Sequence, residues 1–198
     1  RRPDLARTAG PTAARQAPAP PLVRGRGPDA PPVLRPHLPP ARRVPVDAAS
    51  PDELAALAAL IDGWAEGELD ANPVVLAVDR DPDRPRWYVR LKGEEKAVTT
   101  VWLTLRERTL HYETYFMPAP EENVEALYEY LLRANNRLFA MRFAIGAEDA
   151  VYLVGQLPVT AIDLAELDRI LGAAYAYAEQ YFRPAMSIGY TSKFRPHP

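Results

Sequence analysis

The chain has 198 residues, 47 % of them hydrophobic, which suffices for one domain with a sizeable core and some length to spare. It has no cysteine, and this excludes a disulfide framework, a thiolate nucleophile and a cysteine-ligated metal. No apolar run approaches the roughly 18 residues of a membrane span, and the start lacks the charged-then-apolar layout of a signal peptide, so a cytoplasmic protein with no membrane partner is expected.

The formal net charge of −2 conceals two unlike segments. Residues 1–46 hold nine Arg, two Asp and 12 of the 22 prolines, with no Lys and no aromatic residue. Residues 47–198 carry 15 basic and 24 acidic residues. The first segment has too little apolar material to offset the entropy of ordering, and it reads as a disordered Arg/Pro/Ala-rich leader with polyproline character at "APAPP" and "DAPPVLRPHLPP". Its "RGRG" (24–27) would suit nucleic acid and its Pro-rich runs aromatic grooves. With 21 Arg against 3 Lys in the chain, the composition also fits GC-rich sequence upstream of a true start, so a non-native leader stands beside a genuine tail. The acidic domain at 47–198 is not expected to bind nucleic acid.

The domain's first helix signal is "ASPDELAALAALIDGWAEGEL". Ser50 is an N-cap, Pro51 suits the first helical position, and Glu53 completes a Ser-x-x-Glu capping box. Leu54, Leu57, Ile61 and Trp64 recur at helical spacing, and Gly67 is the expected stop. Extended segments follow at 74–78, 86–92, 97–105 and 109–118, rich in β-branched and aromatic residues and separated by turn compositions, which is the pattern of a β-meander. With Glu107 and Arg108 at a hairpin tip, Leu105 faces Leu110, Leu103 faces Tyr112 and Val101 faces Thr114 on an aliphatic core face. Thr104 then faces His111, Trp102 faces Glu113 and Thr100 faces Tyr115 on the other.

A second helix is expected over "APEENVEALYEYLLRANNRL", started by Pro120 with Glu121 and Glu122 at its positive end, and with Val124, Leu127, Tyr128, Leu131 and Leu132 as its apolar stripe. "FAMRFAIG" and "AVYLVGQLPV" form a second hairpin around "GAED". The last helix starts at Asp163, which with Glu166 has capping-box spacing. It buries Leu164, Leu167, Leu171, Ala174, Ala178 and Tyr181 and is expected to end near Arg183, before Pro184. Strands and helices do not alternate, so the class is α+β with an antiparallel sheet and not a doubly wound parallel one.

Chemistry-bearing motifs are sparse. His111 and Glu113 share a strand face at a spacing that would orient an imidazole, with Trp102 and Tyr115 as walls. The folded segment offers no second histidine and no nucleophile-elbow serine, and an exposed strand tolerates both residues as polar surface. "DRDPD" (79–83) opens like a calcium loop but has Arg84 and Arg90 where that loop needs Gly and Glu, so it is a turn. No phosphate loop or dinucleotide fingerprint is present, and no metal, cofactor or catalytic residue is assigned. The many strand and helix aromatics instead point to a partner surface.

The order helix, three-stranded meander, helix, two strands, helix resembles the type III secretion chaperone-like fold. The stretches "RWYVRLKGEEKAVTTVWLTLRERTLHYETYFMPAPEENVEALYEYLLRANNRL", "FAIGAEDAVYLVGQLPV" and "AYAEQYFRPAMSIGYTSKF" resemble YbjN-type bacterial proteins, described as sensory transduction regulators, in their actinobacterial form. The resemblance covers about residues 51–194 and contains no catalytic motif. It implies a bacterial cytosolic protein with an antiparallel sheet flanked by helices, and the related chaperones are acidic homodimers that hold extended segments of partners. A non-enzymatic chaperone-like or regulatory adaptor is therefore expected, a homodimer contacting a protein partner through Trp102, His111 and Tyr115. The alternative is a small-ligand sensor or enzyme with a pocket beside His111.

Overall fold

The computed structural model describes residues 48–194. The expected leader, residues 1–46, lies outside them. Helix α1 (Pro51–Ala71) begins as its sequence requires: the Glu53 amide donates to Ser50 Oγ at 3.3 Å and the Ser50 amide to Glu53 Oε2 at 2.7 Å. It does not stop at Gly67. That glycine faces open space, good helix formers follow it, and the helix runs on to Asn72, whose amide donates to the Glu68 carbonyl.

Six strands follow, interrupted by one helix: β1 (Val75–Arg80), β2 (Arg86–Lys92), β3 (Val98–Leu105), β4 (Thr109–Met117), α2 (Val124–Asn135), β5 (Arg142–Ile145) and β6 (Val151–Pro158). All pairings are antiparallel, in the order β1-β2-β3-β4-β6-β5. The β3–β4 register is the one that the hairpin tip at Glu107 and Arg108 demands, from Val101 opposite Thr114 to Leu105 opposite Leu110. In the β1–β2 turn, Asp81 Oδ1 accepts the amides of Asp83 and Arg84, so "DRDPD" is a side-chain-capped turn.

Period-2 alternation places Trp87, Val89, Leu91, Val101, Leu103, Leu110, Tyr112 and Leu153 on one face, all essentially fully buried. Helix α1, α2 and α3 (Leu164–Gly189) pack on the sheet through β1, β5, and β3 with β4, respectively. Cross-links hold them there. Trp87 Nε1 donates to Asp62 Oδ1 of α1 at 2.6 Å, and Trp64 Nε1 to Asp168 Oδ1 of α3 at 2.7 Å. From α3, the Glu179 carboxylate accepts the amides of Glu94, Glu95 and Lys96, closing the β2–β3 turn.

Helix boundaries differ from expectation where tertiary contacts intervene. Helix α2 starts at Val124 and not at Pro120, because the amides of Glu121 and Glu122 both donate to the Gly189 carbonyl at the end of α3. Asn123 then takes a left-handed conformation, φ 50°, and its side chain donates to the Ile188 carbonyl and to Thr191 Oγ1. Helix α3 continues through Pro184 to Gly189, followed by the short α4 (Thr191–Phe194). A proline inside a helix costs about 3 kcal/mol, and the extra turns offset this by burying Ala185 and Gly189 and by leading into buried Tyr190. Three residues expected in helix stripes are exposed instead: Val124, Leu132 and Leu164. In the second hairpin, Phe139 to Met141 precede the strand, and Ala140 has φ 64°.

Candidate functional site

The opposite sheet face consists of half-buried and exposed residues, and the registers place them in rows. One row runs across all six strands: Asp79, Tyr88, Trp102, Glu113, Val154 and Arg142. On one side lie Arg86, Thr104, His111 and Gln156, and on the other Tyr115, Tyr152 and Ala144. Trp102, His111 and Tyr115 therefore share this face, one in each row. Trp102 and His111 are half-buried and Tyr115 is 38 % exposed.

The aromatic side chains brace one another. Tyr88 meets Trp102 edge to face at 6.2 Å between centroids, and Tyr115 meets Tyr152 at 5.5 Å. The Tyr88 hydroxyl donates to Asp81 Oδ2 and the Tyr152 hydroxyl to Glu148. These contacts hold the rings without covering them, so an apolar surface is presented already ordered. Other expected surface aromatics belong to the core: Trp87, Tyr112, Phe143 and Tyr181 are buried, whereas Phe139 is 68 % exposed.

His111 does not form the site that its spacing to Glu113 suggested. No hydrogen bond joins the two, and among the described residues the imidazole has no hydrogen-bond partner. Burial first, then Arg106 and Arg142, hold its pKa below the usual histidine range against the opposing pull of Glu113, so it is uncharged at neutral pH. A cavity of about 350 Å³ does open on this face, but it is lined by Trp102, Glu113, Tyr152, Val154 and the β5–β6 turn, and His111 is not part of its wall. Sequence reasoning missed Tyr152, Glu148 and Gly146 as members of this hollow, because only the β4–β6 pairing brings them beside Glu113.

At the β2–β3 end of the face, Lys96 Nζ donates to the Tyr115 carbonyl at 2.6 Å and lies 5.7 Å from the Tyr115 ring centroid. Desolvation lowers its pKa to about 8, with Glu179 opposing. An NMR titration of the lysine Cε signals should show Lys96 with a midpoint near pH 8. Because the folded pKa lies below the ordinary 10.5, the unfolded chain binds more protons between about pH 8 and 10.5, and this group makes stability rise with pH across that window. A Lys96→Met variant should lose that rise. An unshifted midpoint would refute the burial argument.

Among the described residues, no helix is long and apolar enough to cross a membrane, and no group of three His, Asp or Glu is placed to hold a metal ion. The fold has measurable likeness to the crystal structure of the ExsC–ExsE complex, at 19 % identity and TM-score 0.45, over 66 % of this chain and 93 % of that one. It is also similar to the Yersinia pestis type III secretion chaperone SycH in complex with a stable fragment of YscM2, at 19 % identity and TM-score 0.42, over 62 % of this chain and 96 % of that one. In sequence, it is 32 % identical over 110 residues to an uncharacterized protein of Mycobacterium leprae, covering 56 % of this chain and 60 % of that protein. It is equally identical over 111 residues to uncharacterized proteins of Mycobacterium bovis and Mycobacterium tuberculosis, covering 56 % of this chain and 61 % of each. The chain thus spans about 60 % of the length of the curated relatives it matches. The sequence model of the YbjN family, described as "Putative bacterial sensory transduction regulator", matches residues 66–185, which take in the last turns of α1, every strand, α2 and most of α3, and the chain belongs to that family.

Proposed function

We propose that the folded segment is a non-enzymatic protein-binding adaptor, chaperone-like or regulatory, acting in a bacterial cytosol. The observation that carries this reading is the uncovered sheet face, where Tyr88, Trp102, Tyr115 and Tyr152 stand in braced pairs. Tyrosine and tryptophan offer large contact area at low conformational cost, and they are enriched where proteins meet. Trp102, His111 and Tyr115 are the contact residues of this reading, and an uncharged His111 spares a partner the larger cost of desolvating a charge.

A homodimer fits the other exposed apolar surface. Leu132 of α2 is 65 % exposed and Ile145 of the edge strand β5 is 54 % exposed, on either side of an apolar groove. The α2 segment carries Glu125 and Glu129 before this leucine and Arg133 and Arg137 after it. Two copies crossing antiparallel would place each acidic half against a basic one, the self-complementarity that a two-fold interface requires.

Replacing Trp102 and Tyr115 together with Ala should weaken binding of a captured cytosolic partner at least tenfold while far-ultraviolet circular dichroism stays unchanged. Retained binding with an intact fold would sink the reading. A lost dichroism signal would show instead that both side chains serve the core.

A further inference from the structure

The hollow on the open sheet face has a composition that the partner-binding reading does not explain. Two of its walls are aromatic, Trp102 on β3 and Tyr152 on β6, and two of its groups are carboxylates, Glu113 on β4 and Glu148 in the β5–β6 turn. Glu113 is half-buried, yet it makes no hydrogen bond or ion pair among the described residues. Arg142, beyond Val154 on the same row, is exposed and does not pair with it. Glu148 accepts the Tyr152 hydroxyl, and this bond holds its own carboxyl below the usual range, so it is ionised at neutral pH. The bond and then burial push the Tyr152 phenol up to about 12, with the fields of Glu148 and Glu113 adding to both, so the two carboxylates act on one point.

Glycine at residue 146 lets the Tyr152 ring rest against the turn that lines the hollow. A Cβ there would stand 2.6 Å from Tyr152 Cε2 and 2.9 Å from Cδ2, so the ring could not rest against the turn. Two aromatic side chains and two carboxylates around about 350 Å³ of space have the composition of a receptor for an organic cation. Charge complementarity calls for a cation, and shape and hydration favour the guanidinium over the ammonium. A guanidinium is planar and weakly hydrated, it stacks on an indole, and its five donors reach carboxylates on separate elements at once. We propose that this hollow receives the guanidinium of an arginine presented by a protein partner. The proposal rests on the reading of this sheet face as the partner surface and names the chemistry that the surface selects.

The test titrates the full chain with the peptide acetyl-Gly-Arg-Gly-amide and with its lysine and citrulline counterparts, following the indole N–H signal of Trp102 by NMR. The arginine peptide should shift that signal. Citrulline, which keeps the shape and lacks the charge, should bind at least tenfold more weakly, and lysine should fall between them. Glu113→Gln and Glu148→Gln should each weaken the arginine peptide several-fold without altering circular dichroism. Gly146→Ala, which changes no charge, should abolish binding by displacing the Tyr152 ring. Equal binding of citrulline, indifference to Glu113→Gln, or no shift at Trp102 up to millimolar peptide would overturn the proposal. The two readings fail separately. A protein partner that depends on Trp102 and Tyr115 but not on Glu113 keeps the adaptor reading and removes the arginine receptor. Arginine-peptide binding with no protein partner does the reverse.

Discussion

Gly155→Ala should cost about 3–5 kcal/mol of stability, combining the overpacking of a filled core with damage to a buried hydrogen bond. Gly155 sits on the core side of β6, opposite Tyr112 of β4. A Cβ at this position would lie 2.1 Å from Tyr112 Cε2 and 2.4 Å from the Ala140 carbonyl oxygen, distances that real atoms do not share. Neither neighbour can retreat cheaply. Tyr112 is 1 % exposed, and its hydroxyl donates to that same Ala140 carbonyl at 2.9 Å. Moving the ring strands a buried phenol, and moving Ala140 disturbs a residue already held at φ 64°. Since a domain of this size is stable by only about 5–15 kcal/mol, urea denaturation should show the midpoint collapsing. Adding Tyr112→Leu to the alanine variant should restore part of the loss by removing the collision. A destabilisation below about 1 kcal/mol would mean that the strand can shift enough to accept a methyl group.

Trp87→Ala should be comparably severe, at about 3–5 kcal/mol, the range for emptying a large buried aromatic site. Trp87 is 1 % exposed near the start of β2, and its role exceeds the volume it fills. Its Nε1 donates to Asp62 Oδ1, Arg80 donates to Asp62 Oδ2 at 2.5 Å, and the Arg80 guanidinium stands 5.3 Å from the indole centroid. This triad ties α1 to β1 and β2. Trp87→Phe keeps most of the apolar contact and removes only the donor to an ionised acceptor, so it should cost about 1.5–3 kcal/mol. Equal losses for Ala and Phe would assign the whole effect to the hydrogen bond. A negligible loss for Phe would show that Asp62 is satisfied by Arg80 alone.

For the candidate site, the legible part of the sequence was the sharing of one face by Trp102, His111 and Tyr115. Strand alternation and a two-residue hairpin tip leave only one register for β3 and β4, and a slip by one residue would turn Leu103, Leu105, Leu110 and Tyr112 out to solvent. The cavity beside them was not legible. Tyr152, Glu148 and Gly146 stand more than 30 positions from Glu113, and nothing local says that β6 inserts between β4 and β5.

By itself the sequence determined the features whose physics is local: the capping box of Ser50 and Glu53, the Asp163 cap, the Asp81 turn, the hairpin register and the antiparallel α+β class. Tertiary structure alone decided the rest. It placed β6 in the interior of the sheet, delayed the start of α2 because the Gly189 carbonyl takes the amides of Glu121 and Glu122, and carried α3 past Pro184. In each of these cases a contact between residues distant in sequence outweighs a local preference. Helix propensities and stop signals are worth about 1–3 kcal/mol, and burying one more turn of helix against the core exceeds that.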